Sequence, residues 1–449
     1  SASAFGWAYL LTLSVGALLW FACHKESREL RVRDGFLIVV LFWSVLAVFG
    51  TLPLILSPLP EMSLADALFE SMSGLTTTGA TVLTGLDHLP ASILYYRQQL
   101  QWLGGMGIIV LAVAVMPMLG VGGMQLYRAE TPGPMKDTKL TPRITETAKA
   151  LWYIYLGLTV SCALAYWLAG MNIFDAVGHA FSTVAIGGFS THDQSIGFFD
   201  SSVIYLIAIA FMLISAVNFA LHFTVFRARS LRAYLQDTEV RAFFAFVAVI
   251  MAIAILTLWL WETYTSFGET LIHGAFQVVS IGTTTGFTTT GFHWWPSFLP
   301  VMLIMMSAVG GCAGSTAGGM KMIRLVLLYK QGKREIGQLI HPSAVMTVKL
   351  GNKPVPDRVI NAVWGFFSLY ILSYVGLSLT VTATGVDLVT AFSAVTACLN
   401  NLGPGLGAVS DNYAEMNAAS KLILTATMLL GRLEIFTLLV LLTPAFWRS

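Results

Sequence analysis

Long apolar stretches, separated by short polar intervals, run through the whole chain. A helix that crosses a bilayer needs about 20 consecutive, mainly apolar residues. The intervals between these stretches are too short to form a separate soluble domain of ordinary size. The pattern therefore predicts an all-α polytopic membrane protein. Its predicted spans lie near residues 4–23, 36–57, 98–119, 150–170, 202–226, 241–261, 297–328, 359–384 and 420–446.

Composition and charge support this class and give an orientation. Hydrophobic residues make up 56% of the chain and charged residues 11%, which is typical of proteins that live in lipid. Lysine and arginine cluster in four intervals, which the positive-inside rule places in the cytoplasm. The clusters are Lys25–Arg33, Arg128–Lys149, Arg227–Arg241 and Lys321–Arg358. The intervals 171–200, 262–296 and 385–417 lack both residues, and 58–97 has only Arg97, so these four face outside.

This alternation defines a unit that occurs four times in tandem: a span going out, an outer segment and a span coming back. Each outer segment opens with a half-apolar stretch near an acidic residue and then breaks into small polar residues and glycine. Ser73, Ser182 and Ser280 each lie six residues before such a glycine, whereas the fourth unit has no serine there, which leaves its register open. We expect an extra N-terminal helix and basic linker at 1–35, followed by repeats at 36–127, 128–227, 228–340 and 341–449.

The first outer segment predicts a helix that enters the membrane without crossing it. As helix, the stretch from Asp66 to Leu75 would rise only about 15 Å, half the hydrocarbon thickness. Ser63 and Asp66 form a capping box, so the helix begins outside. Its C-terminal carbonyls then carry a partial negative charge to the membrane centre, where a cation would be stabilised.

The segments after these pore helices predict a cation filter. Non-helical backbone at membrane depth occurs only where it is buried in protein or lines an aqueous cavity. Rings of backbone carbonyls replace the hydration shell in cation filters, and glycine lets the backbone turn its carbonyls inward. We therefore predict one pseudo-fourfold pore of four helix–pore helix–filter–helix repeats. The predicted filter residues are Thr76, Thr77, Thr78, Gly79, Ala185, Ile186, Gly187, Gly188, Thr283, Thr284, Thr285, Gly286, Asn400, Asn401, Leu402 and Gly403.

The span at 297–328 predicts a gate. It is interrupted by five glycines, each of which costs about 1 kcal/mol relative to alanine inside a helix. We predict a loop in mid-membrane beneath the filter, with close helix packing through small residues as the alternative. Arg432 lies in another apolar span, where a charge is costly and functional by default. The predicted gate residues are Gly310, Gly311, Cys312, Ala313, Gly314, Ser315, Thr316 and Arg432.

The four filter segments, together with residues 310–316 and the run Gly431-Arg432-Leu433-Glu434-Ile435-Phe436, resemble the Trk/Ktr/HKT potassium transporter superfamily, TrkH type. The resemblance covers nearly the whole chain. It implies potassium as the permeating ion, no organic cofactor, and a homodimer in the bacterial inner membrane. It also implies gating by a cytosolic nucleotide-binding ring protein called TrkA.

The resemblance also bears on single residues. A serine in place of the first filter glycine accompanies sodium passage in the wider family, whereas this chain has Gly79, which favours potassium. Arg432 is implied to be an electrostatic barrier inside the pore. The alternative is a structural arginine satisfied by a carboxylate or by carbonyls of the broken third-repeat span. The TrkH type has two helices before the first repeat and this sequence shows one, so we expect a longer natural chain.

The sequence leaves one alternative to permeation and two partners for its basic segment. A coupled K+/H+ or K+/Na+ carrier is the alternative, although inverted repeats would be expected of it and these repeats are parallel. An intramembrane enzyme is not expected, because no pair of polar residues at membrane depth has a motif demanding catalysis. The basic segment Lys321–Arg358 could bind acidic membrane lipid or a cytosolic regulator; no nucleic-acid partner is expected. His179, His273 and Glu70 are expected to hydrogen-bond within the scaffold.

Overall fold

The computed structural model describes residues 2–25, 32–110, 144–296, 298–351 and 353–448. Nearly all regular structure within these ranges is helical; a single two-stranded antiparallel hairpin, β1 Lys349–Leu350 and β2 Lys353–Pro354, pairs Lys349 with Pro354. The helices are α1 Ala2–Cys23, α2 Val32–Gly50, α3 Leu52–Leu56, α4 Leu64–Leu75, α5 Ala91–Val110, α6 Ile144–Leu168, α7 Ile173–Ala185, α8 Ser202–Ser215, α9 Phe219–Ala228, α10 Arg232–Gln236, α11 Thr238–Leu260, α12 Phe267–Gly282, α13 Leu299–Ser307, α14 Met322–Ile340, α15 Asp357–Thr382, α16 Leu388–Leu399, α17 Ala418–Arg432, α18 Phe436–Leu441 and α19 Pro444–Trp447. Short 3₁₀ turns lie at Leu86–His88, Ser195–Phe199, Phe292–Trp294 and Gly407–Val409.

Four of these helices, α4, α7, α12 and α16, are the predicted pore helices. They contain 12 to 16 residues, so at about 1.5 Å per residue none reaches across the hydrocarbon layer. Each begins at a capping side chain that accepts a backbone N–H from the first turn. These capping residues are Ser63, Asn172, Ser266 and Asp387. The predicted capping box is present, since the Ser63 hydroxyl also donates to the Asp66 carboxylate at 2.7 Å.

The repeats are arranged in a closed cycle. The returning helix of each repeat packs against the pore helix of the next one: α5 on α7, α8 on α12, α13 on α16, and α17 back on α4. One large apolar core, which includes Phe276 and Phe287, joins mainly the second and third repeats. A second core, which includes Phe69 and Tyr413, joins the first and fourth. The predicted fold class is confirmed, and the four pore helices surround one axis.

Two predicted spans are broken, so the prediction of continuous helices there was wrong. The span at 202–226 is divided into α8 and α9, which are bent by 94°. The bend is stabilised because Asn218 caps α9 by accepting the N–H of Ala220 at 2.8 Å, while the freed carbonyl of Ala216 accepts the N–H of Cys312 at 2.9 Å. The span at 420–446 stops at the end of α17, because Glu434 and Ile435 have φ of 56° and 34°, which a right-handed helix cannot include.

Helix length and apolar composition indicate which helices could cross a membrane. By length and composition, five helices in the described ranges could cross a bilayer, or six if the bent pair α8 and α9 is one span. The predicted interruption of 297–328 is present, since α13 ends at Ser307 and α14 begins at Met322. Residues 111–119 of the predicted span at 98–119 lie outside the described residues.

The predicted division into repeats stays a prediction. The boundary at 35/36 falls just after the first turn of α2, and that at 227/228 falls at the end of α9. The boundary at 340/341 coincides with the end of α14. The boundary at 127/128 lies outside the described residues.

Candidate cation filter and gate

The four segments that follow the pore helices, called loops 1 to 4, are residues 76–79, 185–188, 283–286 and 400–403. They share one backbone conformation: the second residue has φ between 52° and 67°, and the fourth, a glycine, has φ between 79° and 98°. A side-chain-bearing residue in this region costs roughly 1–2 kcal/mol, so its recurrence shows a constraint from the surroundings. The second residues are Thr77, Ile186, Thr284 and Asn401, and the glycines are Gly79, Gly188, Gly286 and Gly403.

A common hydrogen bond attaches each loop to its pore helix. The N–H of the third residue donates to the carbonyl five residues earlier, at 2.7 to 2.9 Å. The donor and acceptor pairs are Thr78 and Ser73, Gly187 and Ser182, Thr285 and Ser280, and Leu402 and Ala397. This bond resolves the register of the fourth repeat, because Ala397 occupies the place of the three serines.

The four glycines close the loops into a ring. A Cβ added to Gly79 would lie 2.1 Å from the carbonyl oxygen of Gly187, and a Cβ on Gly188 would lie 2.0 Å from that of Thr285. The same contact joins Gly286 to the carbonyl of Leu402 at 2.0 Å, and Gly403 to that of Thr78 at 2.8 Å. Each glycine therefore packs against the carbonyl that precedes the glycine of the next repeat, and the fourth repeat returns to the first.

Side-chain hydrogen bonds reinforce the ring in loops 1, 3 and 4. The hydroxyls of Thr76 and Thr78 are 2.7 Å apart, as are those of Thr283 and Thr285. Asn401 donates from Nδ2 to the Thr78 hydroxyl at 2.9 Å and so joins loop 4 to loop 1. The predicted filter residues are thus brought together, and they offer only neutral oxygen ligands. Among the described residues no group of three or more His, Cys, Asp and Glu could hold a metal ion.

A buried ion pair supports the ring from behind. Glu70 on α4 and Arg97 on α5 are 0% and 1% exposed, and Nε of Arg97 lies 2.6 Å from a Glu70 carboxylate oxygen. Arg97 also donates to the Ser190 carbonyl beyond loop 2 and to the Thr81 hydroxyl beyond loop 1. Glu70 accepts the N–H of Val82 at 3.0 Å. The pair therefore fixes the chain that leaves loop 1 relative to the chain that leaves loop 2.

Other polar side chains near the pore helices also belong to the scaffold. His179, which is fully buried, hydrogen-bonds the Asp175 carbonyl at 2.9 Å and the Ser190 hydroxyl at 2.8 Å. His273 hydrogen-bonds the Thr289 hydroxyl at 2.9 Å. The expectation of structural roles for both histidines and for Glu70 agrees with these contacts.

The outer side of the ring contains the larger of two cavities near the loops. A cavity of about 280 Å³ is lined there by residues that include Asp193, Thr288 and Asp411. Nearby, His192 hydrogen-bonds the carboxylates of Asp87, from the first repeat, and Asp175, from the second. Burial lowers the pKa of His192, but the two carboxylates outweigh this effect and raise it above its usual value. The imidazole of His192 therefore links two repeats outside the ring.

Beneath the ring lies the intramembrane loop, residues 308–321, which connects α13 to α14. Its second half contacts the inner ends of three repeats. The N–H of Gly318 donates to the Thr284 hydroxyl at 2.7 Å, and that of Gly319 donates to the Asn400 carbonyl at 3.1 Å. The Thr316 hydroxyl donates to the Val184 carbonyl at 3.0 Å. The loop is therefore hydrogen-bonded to the second, third and fourth repeats below the ring.

The first half of the intramembrane loop faces the bend between α8 and α9. Gly310 and Gly314 have φ of 64° and 74°. The Gly314 carbonyl accepts the N–H of Phe219 at 3.0 Å, and Ser315 Oγ donates to the carbonyl of Cys312 at 2.6 Å. A Cβ on Gly311 would lie 2.8 Å from the Ala216 carbonyl, so this glycine allows the close approach of the two backbones.

Arg432 lies at the end of α17 beside this loop. Its guanidinium donates to the Gly104 carbonyl at 2.8 Å and to the Thr316 carbonyl at 3.3 Å. A cavity of about 30 Å³ is lined by Arg432, Asn401 and Gly318, among others. The bond to Thr316 agrees with the alternative of an arginine satisfied by a carbonyl of the broken span. The barrier role of Arg432 stays a prediction.

Sequence reasoning missed Glu239, which joins the middle of the intramembrane loop to the first turn of α14. Its Oε1 accepts the N–H of Ala313 at 2.7 Å and that of Ile323 at 3.0 Å. An acidic residue in the first turn of α11 is explained by the helix dipole alone, so no local signal pointed to the loop. Glu434, expected to be structural, forms an ion pair with Arg324 on α14 at 2.6 Å.

Comparisons with known proteins agree with this architecture. The family model described as "TrkH: Cation transport protein" matches residues 1–449. The Trk system potassium uptake protein TrkH of Escherichia coli K12 is 58% identical over 446 residues, covering 99% of this chain and 92% of that protein. TrkH of Halomonas elongata is 60% identical over 439 residues, covering 98% and 91%. The crystal structure of the potassium transporter TrkH from Vibrio parahaemolyticus has a TM-score of 0.91 and 55% identity, covering 99% of this chain and 92% of that one.

The buried ion pair gives a test of the scaffold. Arg97→Met leaves the Glu70 carboxylate buried without its charged partner, which costs about 3–5 kcal/mol of unfolding free energy. We expect a clearly lower midpoint of thermal unfolding in detergent. The double variant Glu70→Gln/Arg97→Met should lose less than Arg97→Met alone, because it leaves no unpaired charge.

Lys421→Met is the matched control. It removes an ion pair of similar length, 2.7 Å, but the partner carboxylate of Asp66 is 26% exposed and can be hydrated. The control should therefore cost less than Arg97→Met. An Arg97→Met protein that unfolds at the wild-type temperature would show that the pair does not support the ring.

Proposed function

We propose a mechanism of potassium uptake from the premise that the chain belongs to the TrkH family of cation transport proteins and is a multi-pass protein of the bacterial inner membrane. Potassium enters by selective permeation through one central pore per subunit. The observation that carries the proposal is the closed contact of each loop glycine with the carbonyl of the next repeat. Loops 1 to 4 form the selectivity filter, and K+ is the permeating ion. The relatives named above are potassium uptake proteins, which supports the choice of ion.

The chemistry of the ring suits a monovalent cation. The negative ends of four pore helices converge on it, and its ligands are neutral carbonyl and hydroxyl oxygens that can replace a hydration shell. None of the loop residues is charged, so the ion can bind without being held too tightly to leave. No organic cofactor and no enzymatic activity are part of the proposal.

The intramembrane loop and Arg432 are the proposed gate. Thr316, Gly318 and Gly319 hold the loop against the filter, and the guanidinium adds a positive charge on the path of the ion. The loop continues directly into α14, which is tied to the chain beyond Arg432 by the ion pair of Arg324 with Glu434. A cytosolic nucleotide-binding regulator of the TrkA type would open the gate by moving α14.

The assembly and the alternative mechanism complete the proposal. We propose a homodimer in membrane lipid, and we regard the basic segment after the gate as the surface for the regulator. A coupled K+/H+ or K+/Na+ carrier is the second candidate. It is disfavoured because all four pore helices run in parallel toward one ring, whereas alternating access is typical of inverted repeats.

The filter assignment is tested by Gly79→Ser. The new side chain meets the Gly187 carbonyl at 2.1 Å and is strained at φ of 80°, so the ring must open. In liposomes with opposing potassium and sodium gradients, the wild type should conduct potassium selectively, and the variant should lose most of that selectivity.

Gly85→Ser is the matched control, because Gly85 has φ of 67° but open space where a Cβ would lie. It should keep the wild-type selectivity. If Gly79→Ser also kept the wild-type selectivity, or if the wild type moved potassium only together with protons or sodium, the proposed pore mechanism would be wrong. The coupled carrier would then be the better explanation.

The gate is tested by two substitutions of Arg432, measured without any regulator. Arg432→Gln removes the charge, and we expect potassium flux to rise severalfold. Arg432→Lys keeps the charge but loses the guanidinium geometry that reaches two carbonyls. Low flux in the lysine variant would assign the barrier to charge, and high flux would assign it to the hydrogen bonds. Flux at the wild-type level in both variants would contradict the role of Arg432 in the gate.

A further inference from the structure

Loop 2 differs from the other three loops at its third position. This position is Thr78 in loop 1, Thr285 in loop 3 and Leu402 in loop 4, but Gly187 in loop 2. The backbone does not require glycine there, since Gly187 is not among the glycines with positive φ. The reason for the glycine must therefore be space.

That space is occupied by Gln101, a side chain from the neighbouring repeat. A Cβ on Gly187 would lie 2.4 Å from Cδ of Gln101 and 2.5 Å from its Oε1. Gln101 lies on α5 and is 0% exposed. A side chain at position 187 and the glutamine at position 101 are mutually exclusive.

The amide of Gln101 clamps loop 2 at two points. Its Nε2 donates to the Gly187 carbonyl at 2.6 Å, and its Oε1 accepts the N–H of Phe189 at 3.0 Å. These two backbone groups flank Gly188. The Gly187 carbonyl is also the one against which Gly79 packs, so the clamp sets the contact between loops 1 and 2.

Loops 1 and 3 are held by hydrogen bonds between their own side chains. The hydroxyl at the third position pairs with the hydroxyl at the first, Thr78 with Thr76 and Thr285 with Thr283. Loop 2 has Ala185 at its first position and so offers no hydroxyl at either place. An amide from the neighbouring repeat fills this place.

We propose that Gln101 is a specificity-determining positioning residue of the filter, whose amide takes the place of the missing loop 2 side chain and fixes the Gly187 carbonyl in the ring. The proposal rests on the potassium filter proposed above. Gln101 acts through the backbone of loop 2, and its effect is on the ratio of potassium to sodium permeability.

The test measures this ratio in liposomes for the wild type and for Gln101→Leu. The leucine fills the space but leaves the N–H of Phe189 buried without an acceptor, a loss comparable with a roughly tenfold change in an equilibrium. We expect the ratio to fall by about that factor. A wild-type ratio in Gln101→Leu would overturn the inference.

A compensating pair of substitutions separates positioning from general packing. Gly187→Thr alone should lose selectivity, because its Cβ collides with Gln101. Gln101→Ala/Gly187→Thr should be more selective than Gly187→Thr, because the collision is removed, but no more selective than Gln101→Leu, because the N–H of Phe189 still lacks its acceptor. A double variant no better than Gly187→Thr would contradict the proposed exchange.

Gln98→Leu is the matched control. Gln98 lies about one turn earlier on α5, is 1% exposed, and accepts the Ser182 hydroxyl of a pore helix, whereas the amide of Gln101 bonds to loop 2 itself. It should lower the thermal unfolding midpoint and leave the permeability ratio unchanged; an equal fall in the ratio would overturn the inference. If the wild type itself showed no potassium selectivity, the proposed function would fail, and this inference with it.

Discussion

The contact between a loop glycine and the carbonyl oxygen of the next loop is the constraint on which the rest of the structure depends. It occurs four times, and its order closes on itself, from Gly79 through Gly188 and Gly286 to Gly403. A methyl group at any of these positions would lie 2.0 to 2.8 Å from a neighbouring carbonyl oxygen, which is closer than van der Waals contact allows. Direct backbone contact between repeats therefore sets the size of the ring, because extra atoms in a close-packed interior force neighbouring groups apart and destabilise the fold.

Much of the surrounding structure serves to hold those backbones still. Capped pore helices bring the loops to mid-membrane, and the pair of Glu70 with Arg97 locks the chain beyond two of them. Behind loop 2 the amide of Gln101 performs the same task. Below, the intramembrane loop bonds to the inner ends of three repeats and is anchored in turn by Glu239. The proposed filter and the proposed gate are thus joined by hydrogen bonds.

The parts that could be predicted from the sequence are those with local signals. A few neighbouring residues are enough to recognise the cap at Ser63 and Asp66, the recurring glycine segments and the glycine-rich interruption before α14. The bend after α8 could not be predicted, because the apolar run at 202–226 contains no glycine or proline. Besides the local cap at Asn218, the bend depends on a hydrogen bond from the distant Cys312. The roles of Glu239 and Gln101 were hidden for the same reason, since their partners are remote in the chain. Ala397 obscured the fourth register by replacing a serine.

The most direct test of the ring as a cation filter is anomalous diffraction from crystals grown with thallium in place of potassium. The account predicts peaks on the pseudo-fourfold axis, within reach of the carbonyl oxygens of loops 1 to 4 and above the intramembrane loop. Thallium bound only at acidic side chains of the outer mouth, with no density inside the ring, would contradict it.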